Sequence, residues 1–317
     1  MADSGFIGSC GDFEASKVVI FGAGADSTTS YRPGTRFGPS AIRAESYGIE
    51  TYSPYLGRDL EDMAFFDAGD LELPFGSPAR QLEMIEAKTA EILAAGKVPF
   101  MLGGEHLVTL GAVRAVAKAY PDLRIIHFDA HADLREEYLG ETLSHATVMR
   151  RCHDILGDGR IWQFGIRSGT REEFAFMKAG HVKTEPFSCK TLGALTGGFS
   201  GLRDGETPSP HRSDVAMASS PLHAQHQNDV AMASSPLPPV YLTIDMDVLD
   251  PSEFPGTGTP EAGGLRYGEL REAVMDILSR FRVVALDNVE LSPPLDPSGR
   301  STALSCKFIR EQLLALA

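Results

Sequence analysis

Short runs rich in β-branched and aromatic residues recur along the chain at 17–21, 98–102, 124–128, 160–166, 240–245 and 282–286, and each is predicted to form a strand. Between them lie stretches of helical period at 79–95, 107–120, 145–156, 171–179, 267–281 and 301–316. Strand and helix therefore alternate, which predicts an α/β protein with a mainly parallel sheet covered by helices on both faces. In open sheets of this kind, functional groups gather beyond the carboxyl ends of the strands.

One segment breaks the alternation. Residues 214–222 read DVAMASSPL, and 229–237 repeat the same nine letters. Two short copies do not make a stacked repeat architecture, and 203–239 is dense in Ser, Pro, Ala and His. The region is expected to be a surface-loop insertion before the strand at 240–245. Its histidines, His211, His223 and His226, lack a carboxylate or cysteine frame and are expected to be solvated rather than metal-binding.

At 317 residues the chain is long enough for one large domain or two modest ones. Its net charge of −14 opposes binding to nucleic acid or an anionic membrane surface and would steer a cationic ligand inward. Cys10, Cys152, Cys189 and Cys306 are scattered with no C-x-x-C, so neither a disulfide framework nor a thiolate zinc site is expected. A reducing, cytoplasmic location follows as the default. The first fifteen residues lack the pattern of an export signal, and no run of about 18 apolar residues suggests a membrane span.

Three predicted strand ends carry acids and imidazoles. GGEH ends in Glu105 and His106, DAHAD supplies Asp129, His131 and Asp133, and IDMD supplies Asp245 and Asp247. In an extended segment residues i, i+2 and i+4 share a face, so each group can converge on a common centre. Carboxylates packed this closely repel one another and are costly to desolvate, so a cation is expected among them. Four Asp and two His donors without thiolate suit hard or borderline divalent ions, and six ligands fit two ions sharing carboxylates, about 3.5 Å apart, better than one. Manganese is the first expectation, with zinc, iron and magnesium as alternatives. His127 is expected to be a hydrogen-bonded core histidine and Glu105 to support the ligands indirectly.

GGEH, DAHAD, SHAT, IDMDVLDPSEFPGTGTPEAGG and NVELSPPLD together resemble the arginase/agmatinase ureohydrolase family. YRPGTRFGPSAIR at 31–43, FGIRSG at 164–169 and PGTGTPEAGG at 255–264 are similar to its agmatinase branch. The resemblance runs nearly the whole length and implies a single three-layer α/β/α domain over 1–317, with the insertion at 203–239 as a departure. It implies that His106, Asp129, Asp133 and Asp245 hold one Mn²⁺ ion and that Asp129, His131, Asp245 and Asp247 hold a second. His145 of SHAT then corresponds to a proton-handling histidine, and Glu290 of NVELSPP to the carboxylate that pairs with a guanidinium. The implied activity is hydrolysis of agmatine to urea and putrescine, a polyamine precursor, by a cytoplasmic homo-oligomer whose partner is a small cationic guanidino substrate.

That chemistry needs such parts. A guanidinium carbon is a poor electrophile, so water must be ionised close to it, which paired cations achieve. The departing amine needs a proton, which an imidazole of near-neutral pKa could pass. Glu290 would orient the planar group by a charge-assisted paired hydrogen bond. Guanidinobutyrate or arginine are alternative substrates, and a non-catalytic metal-binding sensor of the same fold is the alternative class. Glu141 is a weak candidate for the distal amine, Thr259 and Ser292 carry no assigned role, and Arg167 and Arg171 are read as surface or interface residues.

Overall fold

The computed structural model describes residues 5–189 and 237–316. Its strands are β1 (Val18–Ala23), β2 (Tyr52–Ser53), β3 (Arg58–Asp59), β4 (Phe65–Asp70), β5 (Val98–Gly103), β6 (Arg124–Phe128), β7 (Ile161–Phe164), β8 (Lys183–Glu185), β9 (Pro239–Asp245) and β10 (Arg282–Val289). Its helices are α1 (Gly38–Ser46), α2 (Pro78–Ala94), α3 (Val108–Ala119), α4 (Val148–Leu156), α5 (Arg171–Lys178), α6 (Tyr267–Arg280) and α7 (Arg300–Leu316). Eight strands form one sheet in the order β4-β1-β5-β10-β9-β6-β7-β8, with every pairing parallel. β2 and β3 form a separate antiparallel pair.

β1 shows why the sheet needs cover on both sides. Val18 and Ile20 join one apolar cluster, while Val19 and Phe21 join the other. The first cluster takes in Ile42 of α1, Leu270 of α6 and Phe308 of α7; the second takes in Leu82 of α2, Val113 of α3 and Met149 of α4. This is the expected three-layer α/β/α arrangement. Each fully buried Val, Leu, Ile or Phe contributes about 1.5–3 kcal/mol. The two cores can therefore hold in place strand ends whose buried acids oppose folding.

Each predicted strand and helix appears with boundaries shifted by a few residues, but four strands and one helix are additional. β4 (FFDAGD) mixes Gly and Asp into an edge strand, β8 has three residues, and β2 and β3 have two each, too few to show a period. α1 begins within the Gly- and Pro-rich YRPGTRFGPSAIR stretch, with Pro39 near its start. The expected insertion at 203–239 and its duplication lie outside the described residues, apart from 237–239, the last of which opens β9. No helix among the described residues is long and apolar enough to cross a membrane.

The sheet order has a direct consequence for chemistry. β5, β10, β9 and β6 are consecutive neighbours, and their carboxyl ends carry GGEH, NVELS, IDMD and DAHAD respectively.

Candidate metal centre

β5 turns abruptly after Gly103. A Cβ on Gly104 would fall 2.0 Å from the carbonyl oxygen of Ala25, so only glycine lets this strand end lie against the end of β1. The approach is fixed by Gly104 N donating to Ala23 O at 2.8 Å and Glu105 N donating to Ala25 O at 2.7 Å. Glu105 is thereby buried away from the acids. It accepts from Thr28 N at 2.9 Å and Thr28 Oγ1 at 2.7 Å. Burial pushes Glu105 up to about 7, against those donors.

The neighbouring His106 faces the acids. Its Nδ1 lies 3.1 Å from Asp129 Oδ2, 3.2 Å from Asp133 Oδ2 and 3.3 Å from Asp245 Oδ2. A second group forms beside it, with His131 Nδ1 at 2.9 Å from Asp247 Oδ2 and 3.5 Å from Asp129 Oδ1. Asp129 thus presents one oxygen to each group. The expected convergence occurs, but the extended-strand reason for it needs correction. Asp133 reaches His106 through a left-handed backbone (φ 53°), and a 3₁₀ turn at Met246–Val248 follows Asp245. Asp245 Oδ1 accepts from Asp247 N at 2.8 Å, which holds both acids on one side of that turn.

The donor set fits divalent ions. Ligand atoms about 2.0–2.2 Å from an ion stand roughly 3–3.5 Å apart, as these do. His106 Nδ1 and Asp247 Oδ2 are buried and make no well-directed hydrogen bond, although charged neighbours crowd both atoms. Charge balance points the same way. Burial, then Asp247 and Asp129, raise Asp245 well above the carboxylate range, and burial together with Asp129 pushes Asp133 up to about 7. Against burial, the imidazoles of His106, His127 and His131 hold Asp129 well below that range. The cluster cannot keep all its carboxylates ionised without added positive charge.

His127 is a buried core histidine, with Nε2 at 2.8 Å from Asp129 Oδ2 and Nδ1 at 3.1 Å from Gln163 Nε2. Burial lowers its pKa, so it stays neutral and orients Asp129. Glu290 is also buried, and burial raises it well above its ordinary value. It sits in a left-handed conformation (φ 65°), and its Oε1 accepts from His106 N at 2.6 Å. Such a backbone costs of order 1–3 kcal/mol in a non-glycine residue and persists where the surroundings impose it.

His106, His131, Asp133, Asp245, Glu290 and His145 line one cavity of about 250 Å³. His145 N donates to Thr28 Oγ1 at 3.0 Å, its Nε2 lies 3.3 Å from Ser30 Oγ, and the Tyr138 ring meets it edge-on at 5.7 Å. The near-neutral pKa expected of His145 is corrected here: burial, with positive charge at His131, His106 and Arg135, lowers it to about 4. Ser30, Arg135, Tyr138 and Glu173 also line that cavity. Sequence reasoning missed them because Ser30, Arg135 and Tyr138 sit on loops, and Glu173 in the first turn of α5, without a metal-ligand spacing. Thr259 also lines the cavity, whereas Glu141 lines an adjoining one that shares Ser30 and Tyr138.

Arg167 is a second correction. It is a half-buried clamp whose guanidinium donates to the carbonyls of Gly165, Asp247, Val248, Leu249 and Glu261. It ties β7 to the loop after β9 and so fixes the backbone of Asp247. Arg171, at the start of α5, is exposed as expected.

The arginase family model matches residues 16–194 and 214–315. The agmatinase of Halalkalibacterium halodurans is 44% identical over 310 residues, covering 98% of this chain and 95% of its own. The agmatinase of Bacillus subtilis is 43% identical over 310 residues, with the same coverage. The solved structure of agmatine ureohydrolase of Thermoplasma volcanium superposes with a TM-score of 0.79 at 30% identity, covering 100% of this chain and 95% of that one. With the family model matching most of the chain and relatives covering nearly all of it, the chain belongs to the arginase family, the metal-dependent hydrolases of amidino compounds.

Proposed function

We propose that this protein hydrolyses agmatine to putrescine and urea, with two Mn²⁺ ions per subunit. The observation that carries the reading is a pair of ligand-atom groups sharing Asp129 beneath a cavity that also exposes Glu290 and His145. Near-full-length relatives named agmatinase supply the substrate. His106, Asp129, Asp133 and Asp245 would hold one ion, and Asp129, His131, Asp245 and Asp247 the other. Bound there, the ions supply the positive charge that ionises water near neutral pH.

The remaining steps belong to the chain. Glu290, fixed by His106 N, pairs with the substrate guanidinium and turns its carbon toward the cluster. His145, neutral at physiological pH, accepts a proton on Nε2 beside Ser30 and returns it to the departing amine. The −14 net charge suits a substrate with a second cationic group and no carboxylate. The reading extends to one domain over 1–317 carrying an insertion at 203–239, assembled as a cytoplasmic homo-oligomer.

The test is urea release from agmatine after exhaustive chelation, with and without added MnCl₂, alongside guanidinobutyrate and arginine. Release that depends on Mn²⁺, with the highest kcat/KM on agmatine, is expected. A higher value on either carboxylate-bearing compound would transfer the assignment to that substrate.

A further inference from the structure

Behind the cluster lies a polar chain that the reaction does not touch. His106 Nε2, the ring nitrogen turned away from the acids, is 3.0 Å from Thr243 Oγ1. Thr243 Oγ1 is 3.5 Å from Thr109 Oγ1, and Thr109 Oγ1 donates to Asp287 Oδ2 at 2.8 Å. Tyr241 OH donates to the same Asp287 oxygen at 2.6 Å. Asp287, Thr243, Thr109 and Tyr241 are each 0% exposed. An acid buried this deeply on a middle strand, paired with no cation among the described residues, is costly and needs a reason.

The direction of the protons supplies one. His106 can face an ion through Nδ1 only if that atom carries a lone pair, so the ring proton must sit on Nε2. Nε2–H then needs an acceptor, and a threonine hydroxyl accepts only if its own proton points elsewhere. Burial raises the pKa of Asp287 while the hydroxyls that donate to it oppose that shift, and in its ionised form the carboxylate only accepts. Its Oδ2 accepts hydrogen bonds from the Thr109 and Tyr241 hydroxyls, and with the Thr109 proton so committed the Thr243 hydroxyl is left to donate to Thr109 Oγ1 rather than to His106.

From this arrangement we propose that Asp287, acting through Thr109 and Thr243, is a positioning residue that sets the tautomer of His106 and thereby tunes metal affinity. Were Asp287 replaced by a group able to donate, the chain could reverse. Thr243 would then donate to Nε2, the ring proton would move to Nδ1, and the ligand lone pair would be lost. Outer hydrogen-bond partners of metal-ligating histidines commonly govern affinity by 10- to 100-fold.

The inference rests on the metal reading of His106, and the experiment separates the two. Binding of MnCl₂ to chelated full-length protein is measured by calorimetry for the wild type, Thr243→Val, Thr243→Ser and Asp287→Asn. Thr243→Val keeps the shape and removes the hydroxyl. It should weaken one of two Mn²⁺ sites about 10- to 100-fold. Asp287→Asn should do likewise, and Thr243→Ser should restore wild-type affinity. Thr109→Val, one link farther from the ligand, should show a smaller loss in the same direction, and it serves if Thr243→Val does not fold. Wild-type affinity in folded Thr243→Val or Thr109→Val, or no rescue by serine, overturns the relay. Failure of the wild type to bind Mn²⁺ at all overturns the metal reading instead.

Discussion

The backbone amide of His106 donates to Glu290 Oε1 at 2.6 Å, bridging the carboxyl ends of the adjacent strands β5 and β10. One contact thus locks a proposed metal ligand to the carboxylate proposed to grip the substrate. The amide satisfies one oxygen of a buried carboxylate and leaves the other for the cavity.

Replacing Glu290 with Gln should therefore leave metal binding intact, because the amide oxygen still accepts from His106. It should lower kcat/KM for the guanidino substrate by roughly 30- to 1,000-fold, the equivalent of losing about 2–4 kcal/mol from a charged pair. Metal analysis and steady-state rates on one preparation check both halves. An unchanged kcat/KM would falsify the role of Glu290.

Asp245→Asn removes one of the carboxylates that the two groups are proposed to share, and bound Mn²⁺ should fall below two per subunit with turnover nearly abolished. Metal-free protein gives a subtler signal. Asp245 and Glu290 are raised well above their ordinary values and Asp133 to about 7, so the folded state holds protons that the unfolded chain releases near pH 4. For acids raised in this way, stability is full below the unfolded pKa and is lost as pH rises through the folded one. Chelated wild-type protein should melt at lower temperature at pH 8 than at pH 5, and the increase in Tm from MnCl₂ should grow over the same range. A flat chelated profile would contradict the proposed repulsion.

With its pKa at about 4, His145 is neutral throughout the physiological range. Its removal should lower kcat by about 10²- to 10⁴-fold, as loss of a general acid–base group does. Yet no limb of the pH–rate profile between 6 and 8 should belong to this imidazole. A limb near pH 6.5 that vanishes in His145→Asn would show that the ring titrates during turnover.

Arg167→Lys keeps the charge but loses the planar fork that reaches the carbonyls of Asp247, Val248, Leu249 and Glu261. Leaving buried carbonyls unpaired should cost about 2–4 kcal/mol. The lost clamp should also weaken the site formed by His131 and Asp247 more than that at His106. Thermal melting and metal titration report the two effects separately. Wild-type Tm in the lysine variant would return Arg167 to an ordinary peripheral role.

Much of the centre was legible in the chain. The apolar runs at 98–102, 124–128 and 240–245 are strands, and each ends in acids, the first two with an imidazole as well, because a parallel sheet exposes its chemistry where strands stop. His106, Asp129, His131, Asp133, Asp245 and Asp247 could be picked out because unlike residue types recur at short, fixed spacing. The positions of Glu105 and His127 agree with their local patterns for the same reason.

The sequence by itself determined which elements form and which side chains cluster at their ends, since period and spacing are local properties of a chain. Tertiary structure alone decided that β5, β10, β9 and β6 lie side by side, that Asp133 arrives through a left-handed turn, and that Arg167 points inward. It likewise decided that Thr109, Thr243 and Asp287 line up behind His106 and that His145 is held neutral. Most of these are relations between residues about 40 to more than 130 positions apart, and the rest are consequences of desolvation or of a backbone conformation that packing imposes. All depend on what packs against what, which no local pattern encodes.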